Sequence, residues 1–357
     1  MKVPLICTAL KDMQTLQNLD LASWDLLVRQ GRRAGLLARL AADLQAAECW
    51  DLVPEVARWH FAGALTLAER QQIAVRWEVM QIRQALESIA CPIILLKGAA
   101  YVLAEVPAAR GRLFNDVDIL VTRESLGEVE AALMLAGWQA QAQDSYDARY
   151  YRQWMHEIPP MQHIKRGSVL DVHHAILPHT ARYHPDPAKL RAASVPAQGE
   201  PNLRVLAPVD MVLHSACHLF HDGELPHGLR DLSDLDLLLR YFSQQPGFWE
   251  DLPQRAAELE LTRPLYYALR YVRHFFRTPI PPAVDAALQG AAPALLPFMD
   301  AMFRRVLGPD HASYEDGLTR PARLAAYVRA HWLRMPLHLL IPHLLHKALI
   351  PASEAPA

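Results

Sequence analysis

The sequence predicts an α+β protein in which a small mixed β-sheet is flanked by helical N- and C-terminal regions. Two observations carry this reading. Apolar residues recur at three- and four-residue spacing before residue 90 and again after Pro208. Between those regions lie short strand-forming runs at Ile93–Leu96, Val117–Val121 and Val169–Val172. The chain accordingly divides into a helical region (1–89), an α/β core (90–200), a helical domain (201–350) and a short tail (351–357). At 357 residues it can bury a full core and is long enough for two or three domains.

From about Leu16 to Ile89 the pattern is helical, with Leu26, Leu27, Leu36, Leu37 and Leu40 on one face and Ser23 placed as an N-cap before Trp24. Asp51–Pro54 interrupts it. Thr66, with Glu69 three residues on, predicts the capped start of a long helix reaching Ser88. At Cys91-Pro92 the composition turns β-like. The reading then runs through a strand at Ile93–Leu96, a short helix at Ala99–Leu103, a loop at Pro107–Gly111 and a strand carrying Asp116 and Asp118. A helix at Glu124–Ala136 points Leu126, Val129 and Leu133 inward, Gly137 closes it, and strands follow at Trp138–Gln143 and Gly167–His174. Pro178–Pro201 reads as a proline-dotted connector. Helices are expected at Asp210–Phe220, Leu232–Phe242, Arg255–Glu260, Leu265–Phe276, Ala283–Leu288 and Arg323–His346, with a frayed tail at Pro351–Ala357.

Composition excludes several function classes. Thirty-six basic against thirty-eight acidic residues leave no global field for gripping nucleic acid, and no basic-aromatic stretch marks a single-strand channel. Cys7, Cys49, Cys91 and Cys217 are scattered without CxxC spacing, which fits a reducing cytoplasm and neither a disulfide framework nor a cysteine zinc site. The N-terminus lacks a signal-peptide core. The most apolar tract, Met335–Ile350, carries two prolines, three histidines and a lysine, and is shorter than the roughly 20 residues a bilayer span needs. A packed, kinked helix is expected there, with a membrane-surface face as the alternative.

Residues two apart on a strand share a face, so Asp116 and Asp118 would project together from an apolar ribbon. Like charges held so close call for a counter-ion, and oxygen-only ligation favours Mg²⁺, with Mn²⁺ as the alternative. Asp171, on a separate strand beside His173, supplies a third carboxylate. Three strand-borne aspartates on one pocket suit two-metal phosphoryl or nucleotidyl transfer. The Lys97-Gly98 turn is the complementary half: at a strand-to-helix junction, backbone N–H groups and a lysine can cradle a triphosphate, and glycine allows close approach. Each feature has a plainer reading. The D-x-D could be a solvated strand edge, Lys97 an exposed lysine, Arg112 a salt-bridge partner of Asp116 or Glu105, and His173 a packed histidine. His214 and His218, four apart on a predicted helix, can in principle present two imidazoles to zinc. No third ligand follows at definite spacing, so a structural or acceptor-pocket role, shared with His173 and Arg230, is expected instead. His156-Glu157 falls in a loop placed to cover the site.

The segments LLKGAA, RLFNDVDILV, VLDVHH and LHSACHLFHDG with LRDLSDLDLLL resemble the uncharacterised nucleotidyltransferase family, a bacterial branch of the DNA polymerase β-like nucleotidyltransferase superfamily. The resemblance extends from the SWDLL segment near Trp24 to the helix of Asp234. It implies a nucleotidyltransferase core, an NTP substrate, a divalent cation, an unnamed acceptor, and release of pyrophosphate. By the same resemblance Asp116 and Asp118 would bind both metals, and Asp171 would complete the site and help activate the acceptor hydroxyl. Gly98 would lie under the phosphates with Lys97, Ala99 and Arg112 around the nucleotide. Two departures stand out. Ala99 follows Gly98 where the superfamily usually has Ser or Gly, and the segment between turn and D-x-D is long. A catalytically degenerate binding protein of the same fold, acting through its helical domain, is the competing expectation. A phosphohydrolase built on His214, His218 and Asp222 ranks behind both.

Overall fold

The computed structural model describes residues 3–140, 154–221, 223, 225–336 and 338–340. Its organising element is a seven-stranded mixed sheet in the order β3-β4-β5-β2-β1-β7-β6. The strands are β1 (Ile93–Leu96), β2 (Asp116–Leu120), β3 (Trp138–Ala140), β4 (Met161–His163), β5 (Val169–His173), β6 (Val195–Ala197) and β7 (Glu200–Val205). β1 lies centrally, antiparallel to β2 and parallel to β7, and all four of its residues are buried. A strand covered on both faces reads as an unbroken apolar run, which is why Ile93–Leu96 shows no alternation.

Helices wrap this sheet. α1 (Leu5–Lys11), α2 (Leu21–Arg33), α3 (Leu37–Ala46) and the 31-residue α4 (Glu55–Ala85) precede it. α5 (Lys97–Leu103), α6 (Leu126–Leu135) and α7 (Pro187–Ala193) connect strands. α8 (Pro208–His221), α9 (Gly228–Phe242), α10 (Phe248–Glu258), α11 (Thr262–Phe276), α12 (Pro282–Ala287), α13 (Leu296–Val306) and α14 (Thr319–Arg334) complete the C-terminal part. α4 packs along α3 and α5, while α8 and α9 lie against each other and against α11.

The structure corrects several local expectations. Asp20, not Ser23, caps α2, its Oδ1 accepting from the Ser23 N–H at 2.9 Å. α4 does not begin at Thr66: it starts behind Pro54, and the Thr66 hydroxyl donates to the Ala62 carbonyl at 2.9 Å within one continuous helix. The expected Pro178–Pro201 connector contains α7 and β6 and leads into β7. Pro196 is tolerated because β6 is an edge strand, with no further neighbour to which an N–H must donate. β4, α1 and α13 had no counterpart among the predicted elements. The last expected helix spans Thr319–Arg334, and its continuation past 340, the tail and the end of the Trp138–Gln143 strand lie outside the described residues. Among the described residues no helix is long and apolar enough to cross a membrane, and all four cysteines are free.

Candidate active site

β2 and β5 run parallel with Asp118 opposite Asp171, Asp116 opposite Val169 and Leu120 opposite His173. Paired residues of neighbouring strands face the same way, and alternate residues along each strand do too. Asp116, Asp118, Asp171 and His173 therefore project from one face of the sheet. Ligand atoms of Asp118, Asp171 and His173 all lie within 4.8 Å of one another. Asp116 stands two residues before Asp118 and is not in that tight group; it lines the adjoining cleft.

The aspartates differ sharply in environment. Asp118 is 2% exposed, and its Oδ1 takes both Lys97 Nζ at 2.7 Å and His173 Nε2 at 3.1 Å. Burial works against its charge, but Lys97 and His173 hold its pKa well below the usual carboxylate range. Asp171 receives less help: His173 favours its charge but does not prevail. Its Oδ1 is buried without a hydrogen-bond partner, and burial, followed by the charges of Asp118 and Glu157, pushes its pKa up to about 7. Asp116 is raised by burial and by Asp118, with Lys97 and Arg112 opposing. His173 is buried between two carboxylates, its Nδ1 lying 3.1 Å from Glu157 Oε2; burial lowers its pKa, but Glu157 and Asp118 outweigh it and hold the value above the ordinary one.

The turn that delivers Lys97 is strained. Lys97 has φ +46°, a left-handed conformation costing a non-glycine residue roughly 1–3 kcal/mol, and such strain collects where a side chain must be aimed. Gly98 is required by packing: a Cβ there would meet Arg112 Nη1 at 2.5 Å and Phe114 Cδ1 at 2.7 Å. Ala99 is 1% exposed and lies in the core, apart from the cleft.

That cleft, of about 180 Å³, is lined on the sheet side by Lys97, Gly98, Arg112 and Asp116 and on the helical side by Ser215 and His218 of α8 and Arg230 and Asp231 of α9. Arg112 does not pair with Asp116 or Glu105, the partners its sequence neighbourhood offered. Its Nε lies 2.8 Å from Asp234 Oδ2, and the opposite oxygen, Oδ1, receives Arg39 Nη2 at 2.7 Å. Arg230 Nε lies 2.9 Å from Asp231 Oδ1. Arg39 also bonds the Ala108 carbonyl and Ser233, so it ties α3, the loop before β2 and α9 together. His214 is buried near Lys97, His173 and Asp118, its pKa lowered to about 3 by burial and then by Lys97. His218 is lowered chiefly by Lys97 and then by burial. Neither belongs to a metal-type cluster among the described residues, which removes the support for a zinc reading, and Asp222 lies outside the described residues.

Sequence reasoning missed the role of Glu157. Its loop crosses the site as foreseen, but its backbone forms a bridge with His173 and its carboxylate grips that imidazole. It also missed Arg39, whose signal, an arginine inside an apolar helical stripe, was present in the Leu37–Leu40 repeat. Two carboxylates and an imidazole converging on one point, with Asp171 Oδ1 left unpaired, suit a divalent cation.

A family model described as uncharacterised nucleotidyltransferase matches residues 20–277. No curated protein matches the chain. Among solved structures, the antibiotic-resistance factor ANT(2'')-Ia is similar at 17% identity and TM-score 0.35, covering 57% of this chain and 98% of that one. A nucleotidyltransferase-like antigen from Paracoccidioides brasiliensis is similar at 14% identity and TM-score 0.29, covering 62% and 96%. Likenesses this distant carry no argument about substrate.

Proposed function

From the premise that this chain belongs to the uncharacterised nucleotidyltransferase family, we propose that it moves a nucleoside monophosphate from an NTP to a hydroxyl acceptor in the cytoplasm, releasing pyrophosphate. The observation that carries the proposal is the register of β2 on β5, which sets Asp118 beside Asp171 with Asp116 and Lys97 leading into the cleft. A divalent cation bound there, Mg²⁺ or Mn²⁺, supplies charge neutralisation for the triphosphate and the attacking oxygen. Asp118 and Asp171, with Asp116 beside them at the cleft, are the carboxylates that would hold it. Asp171, whose buried Oδ1 has no hydrogen-bond partner, is the carboxylate suited to help activate the acceptor hydroxyl. Lys97 and Arg112, which line the cleft, draw the phosphates toward the turn, where Gly98 lets Arg112 and Phe114 pack close. On the opposite wall, His218 and Arg230 contact the acceptor, which can be a small molecule, a protein side chain or an RNA end; His173 and His214 support the pocket from within.

The second reading, a degenerate binding protein of this fold, draws on two observations. Lys97 already neutralises Asp118, and Ala99 supplies no hydroxyl where the superfamily usually has one. Incubating the protein with labelled NTPs, Mg²⁺ or Mn²⁺ and cell extract separates the two. Enzyme-dependent labelling that disappears in Asp116→Asn plus Asp118→Asn supports transfer; absence of labelling with retained nucleotide binding supports the degenerate reading.

A further inference from the structure

We propose that His173 is a nitrogen ligand of the metal centre, held in place by Glu157, and that the centre therefore prefers a first-row transition dication such as Mn²⁺ over Mg²⁺. This rests on the metal-dependent reading above and adds to it a ligand, a positioning residue and an ion preference.

Three observations lead there. His173 sits one alternation beyond Asp171 on β5, and its Nε2 is 3.1 Å from Asp118 Oδ1. Metal–nitrogen and metal–oxygen bonds of about 2.1 Å set neighbouring ligands in a six-coordinate site about 3 Å apart, so this pair already has the spacing of adjacent ligands. Second, the other ring nitrogen is engaged: Nδ1 lies 3.1 Å from Glu157 Oε2. Ligating histidines characteristically donate the second N–H to a carboxylate, which fixes tautomer and ring orientation. Third, the main chain builds this pairing. Glu157 pairs with His173 in an antiparallel bridge alongside β5, the Ile158 N–H donates to the Val172 carbonyl at 3.1 Å, and the His174 N–H to the His156 carbonyl at 2.8 Å. The carboxylate is thereby held over the imidazole by backbone hydrogen bonds on both sides.

With Asp118 and Asp171, His173 makes a mixed oxygen-nitrogen set. Mg²⁺ favours oxygen and water ligands in strict octahedral geometry, whereas an imidazole raises affinity along the transition series, and Mn²⁺ is the member that also accepts carboxylates readily. On loading, the ion occupies the position of any Nε2 proton, which leaves to solvent.

The test is a Mn²⁺ titration of the full chain followed by electron paramagnetic resonance, with pulsed detection of ¹⁴N coupling to the bound ion. Wild type is expected to bind Mn²⁺ at least tenfold more tightly than Mg²⁺ and to show ¹⁴N coupling. His173→Gln removes the coupling. Glu157→Gln keeps it while weakening Mn²⁺ about 10–100-fold, the range for loss of a carboxylate behind a ligating histidine. His156→Gln, which alters the other nearby imidazole, leaves the coupling intact. Thermal midpoints establish that each variant is folded. Wild-type Mn²⁺ without ¹⁴N coupling, coupling that survives His173→Gln, coupling lost in His156→Gln, or equal Mn²⁺ and Mg²⁺ affinities overturns the proposal. NTP-label transfer accompanied by any of those outcomes sinks the histidine ligand and leaves the nucleotidyl-transfer reading standing; ¹⁴N-coupled Mn²⁺ without any label transfer does the reverse.

Discussion

Replacing Asp171 by asparagine should stabilise the metal-free protein at alkaline pH. In the fold, burial and the neighbouring charges of Asp118 and Glu157 push this carboxyl to about 7, against 3.8 when unfolded. Below pH 4 both states hold the proton and the group contributes nothing. Between pH 4 and 7 the folded state keeps a proton that the unfolded state has released, so stability falls as pH rises, and above pH 7 the full penalty applies. At about 1.4 kcal/mol per pH unit, a pKa of about 7 in place of 3.8 bounds that penalty at roughly 4 kcal/mol. Asparagine has nearly the same shape and never ionises. Urea unfolding in EDTA should show Asp171→Asn gaining roughly 2–4 kcal/mol over wild type at pH 8 and almost nothing at pH 4. Wild type should recover about 2.7 kcal/mol when a divalent cation is added at 100 times its dissociation constant, and the variant much less. Equal or lower stability of Asp171→Asn at pH 8 would refute the reasoning, because it would mean that Asp171 ionises in the fold without cost.

Other outcomes follow from the same contacts. Asp234→Asn leaves the buried Arg39 and Arg112 guanidiniums without their carboxylate and should cost about 3–5 kcal/mol by denaturant unfolding. Burial opposes the charge of Asp234, but Arg112 and Arg39 outweigh it and hold its pKa below the ordinary value; the stability from this group is therefore complete above about pH 4 and is lost as acid titrates it, so the difference between wild type and Asp234→Asn should shrink toward pH 2. Gly98→Ala brings a methyl against Arg112 and Phe114, neither of which is free to retreat, and should lower stability by about 1–3 kcal/mol by the same measurement while weakening NTP binding through displaced Arg112.

What the sequence disclosed depended on distance along the chain. β1, β2 and β5 were legible because each is an apolar run with its charged residues at defined alternations, and pairing β2 with β5 in parallel brings Asp118 to Asp171 as the strand period requires. β4 and β6 are three residues each, too short for periodicity to register, and Pro196, Glu200 and Arg204 disguised the β6–β7 hairpin as linker. Arg204 is accommodated there by turning back on Ser194. The ionic knot on Asp234 was unreadable for another reason. Arg39 and Arg112 reach it from 195 and 122 residues away, and local spacing offered Arg112 the nearer Asp116 and Glu105 instead. Glu157 was placed near the site by its loop, but its grip on His173 is made by a cross-strand bridge that leaves no periodic trace. Lys97 is an intermediate case. Its position at the strand end was plain, whereas its left-handed backbone and its 2.7 Å contact with Asp118 needed coordinates.

The central claim is that the cleft beside Asp116, Asp118 and Asp171 transfers a nucleoside monophosphate. The direct measurement compares NTP labelled at the α-phosphate with NTP labelled at the γ-phosphate, in the presence of Mn²⁺ and cell extract. The account predicts that the α-label becomes attached to an acceptor while the γ-label appears only in pyrophosphate. Attachment of the γ-label to the acceptor, with the α-label staying in nucleoside diphosphate, would contradict it.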